Sequence, residues 1–149
     1  MSIKSDEDKI IKQALSILKS RINQGDCLSS PNEVREFLQL KIAESERELF
    51  LVIFLDQQNK LLKCEEMFKG SLTQSNVYPR EIVKAALKQN AAGVIVAHNH
   101  PADTAEPSFC DQHLTTAIKK ALALVEIRLL DHIIVTRGCT VSLSERGLL

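Results

Sequence analysis

Two continuous apolar runs constrain the fold of this chain most. Leu49–Leu55 and Ala91–Ala97 contain no charged or hydrogen-bonding side chain, and both have β-branched residues at their centres. Short apolar runs of this kind are typical of strands that are covered on both faces. The sequence therefore predicts a sheet with helices packed on it, and both runs should lie inside that sheet.

Four segments around these runs carry apolar residues at helical spacing. They are Asp6 to about Ile22, Pro31 to about Ala43, Pro79 to about Asn90 and Phe109 to about Ile127. Two of them begin with a proline, which is favoured in the first turn of a helix because that turn needs no amide hydrogen there. We expect four helices.

Two hairpins complete the predicted sheet. Residues 60–69 follow a turn at 56–59 and pair with the first run, and residues 133–136 and 140–143 form a closing hairpin. The predicted order is α-α-β-β-α-β-α-β-β, an α/β (α+β) fold with a single mixed sheet flanked by helices. A chain of 149 residues is long enough to bury one substantial core.

Charge and cysteine content limit the classes of partner. The chain has 19 basic and 19 acidic residues, so we expect no global attraction to nucleic acid or acidic lipid. Residues 1–9 lack the apolar core of a signal peptide, and no run reaches membrane-spanning length. The four cysteines form no Cys-x-x-Cys pair. We therefore expect the cysteines to be free thiols in a cytoplasmic protein. We also expect the Cys110 side chain to be packed against neighbouring residues.

Two histidines and a carboxylate follow the second apolar run. Residues two apart in an extended segment project to the same side, so His98 and His100 can offer their rings to one point. On the fourth helix the apolar stripe includes Leu114 and Ile118, and Asp111 lies three residues before Leu114 on the same inward face. A carboxylate directed at the core needs a partner, which a metal ion would supply.

Two histidines and one carboxylate suit zinc, with a fourth position left to water as in catalytic sites. Zinc lowers the pKa of such a water to about 7, which makes it a nucleophile at neutral pH. The spacing leaves alternatives open. Ser108 and Asp111 also form an ordinary helix-start pattern, and Asp103, Glu106 and His113 lie nearby.

The spacing His98-x-His100, seven residues, Ser108, two residues, Asp111 resembles the JAMM motif of the JAB/MPN metalloprotease-like domains. The resemblance covers residues 46–149 and implies the JAB/MPN (cytidine deaminase-like) architecture. It leaves residues 1–45 as an N-terminal helical segment that packs on the domain or on a partner. Four longer stretches are similar to the bacterial RadC branch of this group: Tyr78–Glu81, His98–Pro101, Leu130–Val135 and Ser144–Gly147.

The resemblance also implies residue roles. His98, His100 and Asp111 would hold zinc, and Ser108 would support the transition state as a catalytic helper. These roles belong to a hydrolase in which a glutamate upstream acts on the water.

That glutamate comes just before, or at the start of, an early apolar strand in the family. Glu48 is the best match, and Glu46, one strand period away, is the fallback. Glu65 and Glu66 lie on the next predicted strand and fit less well.

Two features depart from the RadC pattern. RadC-type proteins commonly have Pro-Ser-Gly after the second histidine, whereas this chain has Pro101-Ala102-Asp103, which alters the loop beside the metal. Longer RadC proteins also carry an N-terminal helix-hairpin-helix region associated with DNA, and we do not expect residues 1–45 to hold it, which weakens a DNA-related function.

The leading hypothesis is a zinc-dependent peptidase or isopeptidase acting on an unidentified peptide or protein substrate. The alternatives are a non-catalytic metal-bearing interaction module and a DNA-repair-associated protein, although the neutral charge predicts weak binding to DNA. No membrane partner is expected, and the N-terminal helices could pack on the sheet or form a homo-oligomer. His132 either forms a satisfied polar pair with Asp131 or orients a metal-binding histidine.

Overall fold

The structure is a computed structural model that describes residues 3–23, 31–70 and 76–149. Within these residues nine elements follow one another in the order predicted from the sequence. They are α1 (Ile3–Asn23), α2 (Pro31–Ile42), β1 (Leu49–Leu55), β2 (Leu61–Lys69), α3 (Pro79–Lys88), β3 (Gly93–Asn99), α4 (Phe109–Ala123), β4 (Arg128–Val135) and β5 (Thr140–Ser142).

The strands form one mixed sheet in the order β2-β1-β3-β4-β5. β1 is antiparallel to both β2 and β3, β3 and β4 are parallel, and β5 is antiparallel to β4. The parallel pair is joined through α4 because two parallel strands need a crossover connection. The predicted single mixed sheet with flanking helices is confirmed. The carboxyl end of β3 and the first turn of α4 meet at one edge of this sheet, where α/β folds usually place ligands.

Alternate residues of the central strands enter two separate cores. On β1 the odd-numbered residues from Leu51 contribute to the core under α1 and α2, and the even-numbered residues from Phe50 contribute to the core under α3 and α4. This alternation explains why the run needs an apolar residue at every position. On β3, Val94 and Val96 enter the core under α3 and α4. His98, two residues further along, therefore points to the same side.

Several element boundaries and one side chain differ from the prediction. β4 begins at Arg128 rather than at residue 133, because Arg128 already pairs with Gly93 of β3. α1 begins at Ile3 rather than Asp6, and α3 ends at Lys88 rather than near Asn90. α4 ends at Ala123 because Glu126 adopts a left-handed φ of 60°, and the Ile127 amide then bonds the Leu122 carbonyl at 3.0 Å. A non-glycine residue in this conformation leaves no sequence signal. Cys110 is exposed rather than packed, since its side of the first turn of α4 faces solvent beside Phe109, which is 82% exposed.

α1 and α2 cover one face of the sheet. Four residues of α2 are buried, and Leu18 of α1 is buried in the same core. The division into residues 1–45 and 46–149 stays a prediction. No helix in the described ranges is both long enough and apolar enough to span a membrane. Cys64, Cys110 and Cys139 are free thiols, and Cys27 lies outside the described residues.

Candidate metal centre

His98 and His100 lie at the carboxyl end of β3 and bring their imidazoles together. His98 is only 1% exposed, and its ring stacks on Phe50 of the neighbouring strand with a centroid separation of 6.0 Å. His100 follows the strand, and its backbone amide bonds the Val135 carbonyl at the end of β4. The two Nε2 atoms are 2.8 Å apart. The backbone alternation of β3 thus places both rings on one side of the chain.

Asp111 reaches the same point from the first turn of α4. Its Oδ1 lies 3.2 Å from His98 Nε2, and its Oδ2 lies 3.2 Å from His100 Nε2. The ligand atoms of the three side chains all lie within 4.8 Å of one another. The structure therefore brings together the three residues that the sequence proposed as metal ligands.

A capping box fixes the carboxylate of Asp111. The Ser108 hydroxyl oxygen accepts a hydrogen bond from the Asp111 amide at 3.0 Å, and Asp111 Oδ2 accepts one from the Ser108 amide at 2.9 Å. The ordinary helix-start pattern is therefore present, and the same carboxylate also faces the two histidines. Because Ser108 uses its oxygen as an acceptor, its hydroxyl hydrogen can still be donated to a third group.

The donor atoms fit a metal ion. The Thr104 carbonyl, which can only accept, lies 2.6 Å from His100 Nδ1, so this nitrogen carries a hydrogen. In the neutral ring His100 Nε2 then has a free lone pair, directed at His98 Nε2 and at a carboxylate. Lone pairs crowded at one point repel each other unless a cation or protons lie among them. Two imidazole nitrogens with one carboxylate suit a borderline divalent cation.

The pKa values of the cluster reflect the same contacts. The hydrogen bond with Asp111 raises the pKa of His100 above its ordinary value, although burial acts to lower it. Burial acts to raise the pKa of Asp111, but the hydrogen bonds that His100 and His98 donate when their rings are protonated outweigh it and hold that pKa well below its usual range. The carboxylate is therefore ionised, which is the state that a metal ligand requires.

Glu48 stands next to this cluster, immediately before β1. Phe50 pairs with His98 across the antiparallel strands, so the same register continued by two residues brings Glu48 opposite His100. The negative charge of Glu48 contributes to the raised pKa of His100. Its carboxylate is half-buried rather than fully exposed.

Asn99 holds the segment that carries Glu48. It is 1% exposed, and its Oδ1 accepts a hydrogen bond from the Leu49 amide at 2.7 Å. Its Nδ2 donates to the carbonyls of Ser45 and Arg47 at 3.2 and 3.0 Å. One side chain between the two histidines thus fastens the chain on both sides of Glu48.

Glu46, the fallback for the base, occupies a different position. It is exposed and lines an open cleft of about 370 Å³ beside the loop that follows His100. Pro101 and Ala102 form the loop side of this cleft. Asp103 has a left-handed φ of 59°, and its Oδ1 accepts a bond of 3.3 Å from the Arg137 amide. The departure from the RadC loop pattern therefore forms part of a surface next to the metal centre.

The sequence did not identify Asn99 or Thr115 as residues of the site, and it left the role of His132 open. Asn99 interrupts the end of an apolar strand, and Thr115 lies one helical turn after Asp111 on the inward face of α4. These interruptions of apolar stripes were the only available signal. His132 bonds the Asp131 carboxylate only through its backbone amide, at 2.7 Å. Its ring instead contacts His98 and Thr115.

A mixed sheet with a His-His-Asp group that could hold a metal ion at the end of its parallel strands is consistent with a domain of the JAB/MPN type. The chain belongs to the family of RadC-like JAB domains, whose model matches residues 28–148. The UPF0758 protein of Methylibium petroleiphilum is 52% identical over 140 residues, covering 94% of this chain and 63% of that protein. The UPF0758 protein of Chromobacterium violaceum is 53% identical over 130 residues, covering 87% of this chain and 58% of that protein.

The chain thus spans about three fifths of the length of these two relatives, 63% and 58%. The family match begins at residue 28 and so includes α2 together with the sheet and the candidate metal centre. The family and the fold are therefore shown for this chain. The names of the relatives state no activity, substrate or metal.

Proposed function

We propose that this domain is a zinc-dependent hydrolase that cleaves peptide or isopeptide bonds. The observation that carries the proposal is the convergence of His98, His100 and Asp111 at one point, with their ligand atoms within 4.8 Å of one another. Two nitrogen ligands and one carboxylate form the donor set of a catalytic zinc site that keeps an open position. Membership of the RadC-like JAB family supports the proposal, since the JAB/MPN superfamily includes metalloproteases.

Zinc held by these three groups would supply Lewis acidity, which polarises a carbonyl and makes water a nucleophile near neutral pH. Glu48, beside His100, takes the proton from the attacking water and passes it to the leaving amine. Ser108 donates its hydroxyl hydrogen to the oxygen on which negative charge develops. The capping box holds the serine oxygen and the aspartate carboxylate in fixed positions before the substrate arrives.

The substrate that we expect is an exposed peptide or protein segment. The cleft of about 370 Å³ beside the His100 loop is open to solvent, so an extended chain could enter it from the side. Its lining includes Glu46 and Arg137, one charge of each sign, which does not favour a strongly charged substrate. Free thiols at the described cysteines accord with a cytoplasmic location.

The first test is metal content. The purified chain is dialysed against zinc, and the bound metal is counted by plasma mass spectrometry for wild type, His98→Ala and Asp111→Ala. We expect one zinc per wild-type chain and strong loss in both variants. A wild-type protein that takes up no stoichiometric zinc would overturn the proposal.

The second test separates the two candidate bases. Glu48→Gln and Glu46→Gln remove the same charge two residues apart, so each is the control for the other. Zinc-loaded proteins are incubated with peptide and isopeptide libraries, and cleavage is followed by mass spectrometry. We expect Glu48→Gln to bind zinc normally and lose about 10²–10⁴-fold in rate, the usual contribution of a general base. Glu46→Gln should lose much less of the rate, because Glu46 lines the cleft but does not lie opposite His100.

Two results would contradict the mechanism. If Glu48→Gln retains full hydrolysis, Glu48 is not the base. If the wild-type protein binds zinc but cleaves no peptide or isopeptide bond in the libraries, the hydrolase proposal fails and a metal-bearing interaction module replaces it.

A further inference from the structure

A buried chain of hydrogen bonds runs from α4 through β4 to the metal centre. The Thr115 hydroxyl lies 2.6 Å from the Asp111 carbonyl and 2.5 Å from His132 Nδ1. His132 Nε2 in turn lies 2.7 Å from His98 Nδ1. Thr115, His132 and His98 are each no more than 1% exposed. This series of hydrogen bonds therefore ends at Nδ1 of His98, the ring nitrogen that faces away from the proposed metal position.

Thr115 determines which atom donates in each hydrogen bond of this series. A hydroxyl has one hydrogen, and the Asp111 carbonyl can only accept, so Thr115 donates to that carbonyl. The reverse arrangement would leave two oxygens 2.6 Å apart with no hydrogen between them. Because its hydrogen is used, Thr115 can only accept from His132, and Nδ1 of His132 must carry a hydrogen.

The position of this hydrogen on His132 also determines the donor in its hydrogen bond with His98. A fully buried imidazole favours its neutral form, which has one N–H group. With that hydrogen on Nδ1, Nε2 of His132 is an acceptor, and His98 Nδ1 must be the donor. His98 in turn is left with a free lone pair on Nε2, the atom that lies 3.2 Å from Asp111 and 2.8 Å from His100 Nε2.

We propose that Thr115 and His132 are positioning residues that lock His98 in the Nδ1–H tautomer, so that its Nε2 lone pair is aimed at the metal. The inference rests on the metal-binding part of the proposed function and is independent of hydrolysis. Neither residue touches the metal position itself. Their role is to fix the hydrogen and the ring orientation of the ligand, as partners of metal-binding histidines generally do.

The two histidine ligands are oriented by different means. His100 donates its Nδ1 hydrogen to the backbone carbonyl of Thr104, a partner that substitution does not remove. His98 depends on two side chains from two other elements. A loss of orientation caused by substitution at Thr115 should therefore affect His98 and leave His100 unchanged.

The chain offers a matched control for Thr115. Thr116 makes the same kind of helix bond, from its hydroxyl to the carbonyl four residues earlier, at 3.0 Å. It is exposed, and its hydroxyl bonds the Gln112 carbonyl rather than a histidine ring. Thr115→Val and Thr116→Val therefore remove the same local bond, but only the first breaks the path to His98. Thr115→Ser keeps the hydroxyl, and His132→Gln keeps an acceptor toward His98.

The first measurement is the nitrogen spectrum of the metal-free protein. Long-range ¹H–¹⁵N spectra distinguish a protonated from a bare ring nitrogen, and the chain has only four histidines to assign. At pH 8 we expect His98 to be protonated on Nδ1 and bare on Nε2 in wild type, Thr116→Val and Thr115→Ser. In Thr115→Val the tautomer should become mixed. A wild-type His98 with its hydrogen on Nε2 would overturn the proposal.

The second measurement is zinc affinity by competition with a chelator. Thr115→Val should bind zinc about 10–100-fold more weakly, the usual effect of losing a partner of a ligand. Thr116→Val, Thr115→Ser and His132→Gln should stay close to wild type. Equal zinc affinity in Thr115→Val and Thr116→Val would overturn the proposal.

These results separate the inference from the proposed function. If the nitrogen spectra and zinc affinities are as expected but no bond is cleaved, the positioning role stands and the hydrolase fails. If the protein takes up no zinc, the proposed function fails. The tautomer of His98 in the metal-free protein still shows whether Thr115 and His132 fix the hydrogen on Nδ1.

Discussion

Substitution of Asn99 should lower the free energy of unfolding and slow hydrolysis, while metal binding is retained. The side chain makes three hydrogen bonds, to the Leu49 amide and to the carbonyls of Ser45 and Arg47. All three lie on the chain that carries Glu48. Since strand residues alternate in direction, Asn99 points away from the side of β3 that bears the ligands. Asn99→Ala should therefore release the base and leave the metal ligands in place.

The structure sets the size of the effect on stability. Three hydrogen bonds at a net value of about 0.5–1.5 kcal/mol each give about 1.5–4.5 kcal/mol. Water can reach the carbonyls of Ser45 and Arg47 after the substitution, because both residues are at least partly exposed. We therefore expect a loss of about 2–3 kcal/mol in the free energy of unfolding. For a domain of this size that corresponds to a melting temperature lower by about 4–12 °C.

The assay combines urea unfolding, zinc affinity and hydrolysis. Unfolding is followed by circular dichroism because the chain has no tryptophan. The rate should fall about 100-fold, since a shift of about 1 Å in a catalytic group can cost that much. Zinc affinity should stay within about threefold, given that metal binding does not use Glu48. The exposed residue Asn76 gives a control, and Asn76→Ala should change stability by less than about 0.5 kcal/mol.

Two outcomes would refute this account of Asn99. If zinc affinity falls in parallel with the rate, the side chain supports the ligands rather than the base. If neither stability nor rate changes, its three hydrogen bonds contribute nothing net.

Three further predictions concern the rest of the site and its support. Ser108→Ala should cost about 0.5–2 kcal/mol through loss of the helix cap and slow hydrolysis about 10²–10³-fold, whereas Ser108→Thr should keep both, as measured by urea unfolding and the cleavage assay. Leu122→Ala should cost about 2–5 kcal/mol in urea unfolding because Leu122 is fully buried, and Leu124→Ala, at a residue 87% exposed, should cost less than about 0.5. Asp111 raises the pKa of His100 above 6.5. In the metal-free protein this pair should therefore stabilise the fold fully below pH 6.5, and this stabilisation should disappear as the pH rises through the raised pKa. Urea unfolding in a chelator at pH 6 and pH 9 checks this, and equal pH dependence in His100→Gln would contradict it.

The elements and the convergence of His98, His100 and Asp111 could be predicted because their signals are local. Leu49–Leu55 is apolar at every position because its two faces enter two cores, and this pattern is typical of a central strand. His98 and His100 share a side because strand residues alternate, and Asp111 follows from the stripe of α4. In each case the information lies within about twenty residues of the chain.

The supporting residues could not be predicted because their partners are distant in sequence. Asn99 bonds a residue fifty positions away, and His132 bonds one thirty-four positions away. Such pairs depend on the register of β1, β3 and β4, which apolar patterns alone do not determine. For the same reason the sequence could only rank Glu48 above Glu46, two residues earlier, and could not place either beside the histidines. The register places the first opposite His100, and the second lines the neighbouring cleft.

The location and identity of the bound metal test the central claim most directly. A crystal of the zinc-loaded protein, measured on both sides of the zinc absorption edge, should give one anomalous peak. We expect it about 2.0–2.1 Å from Nε2 of His98 and of His100 and about 2.0–2.2 Å from a carboxylate oxygen of Asp111. The Glu48 carboxylate should face the remaining position. No peak at this point, or a zinc ion held by other residues, would contradict the account.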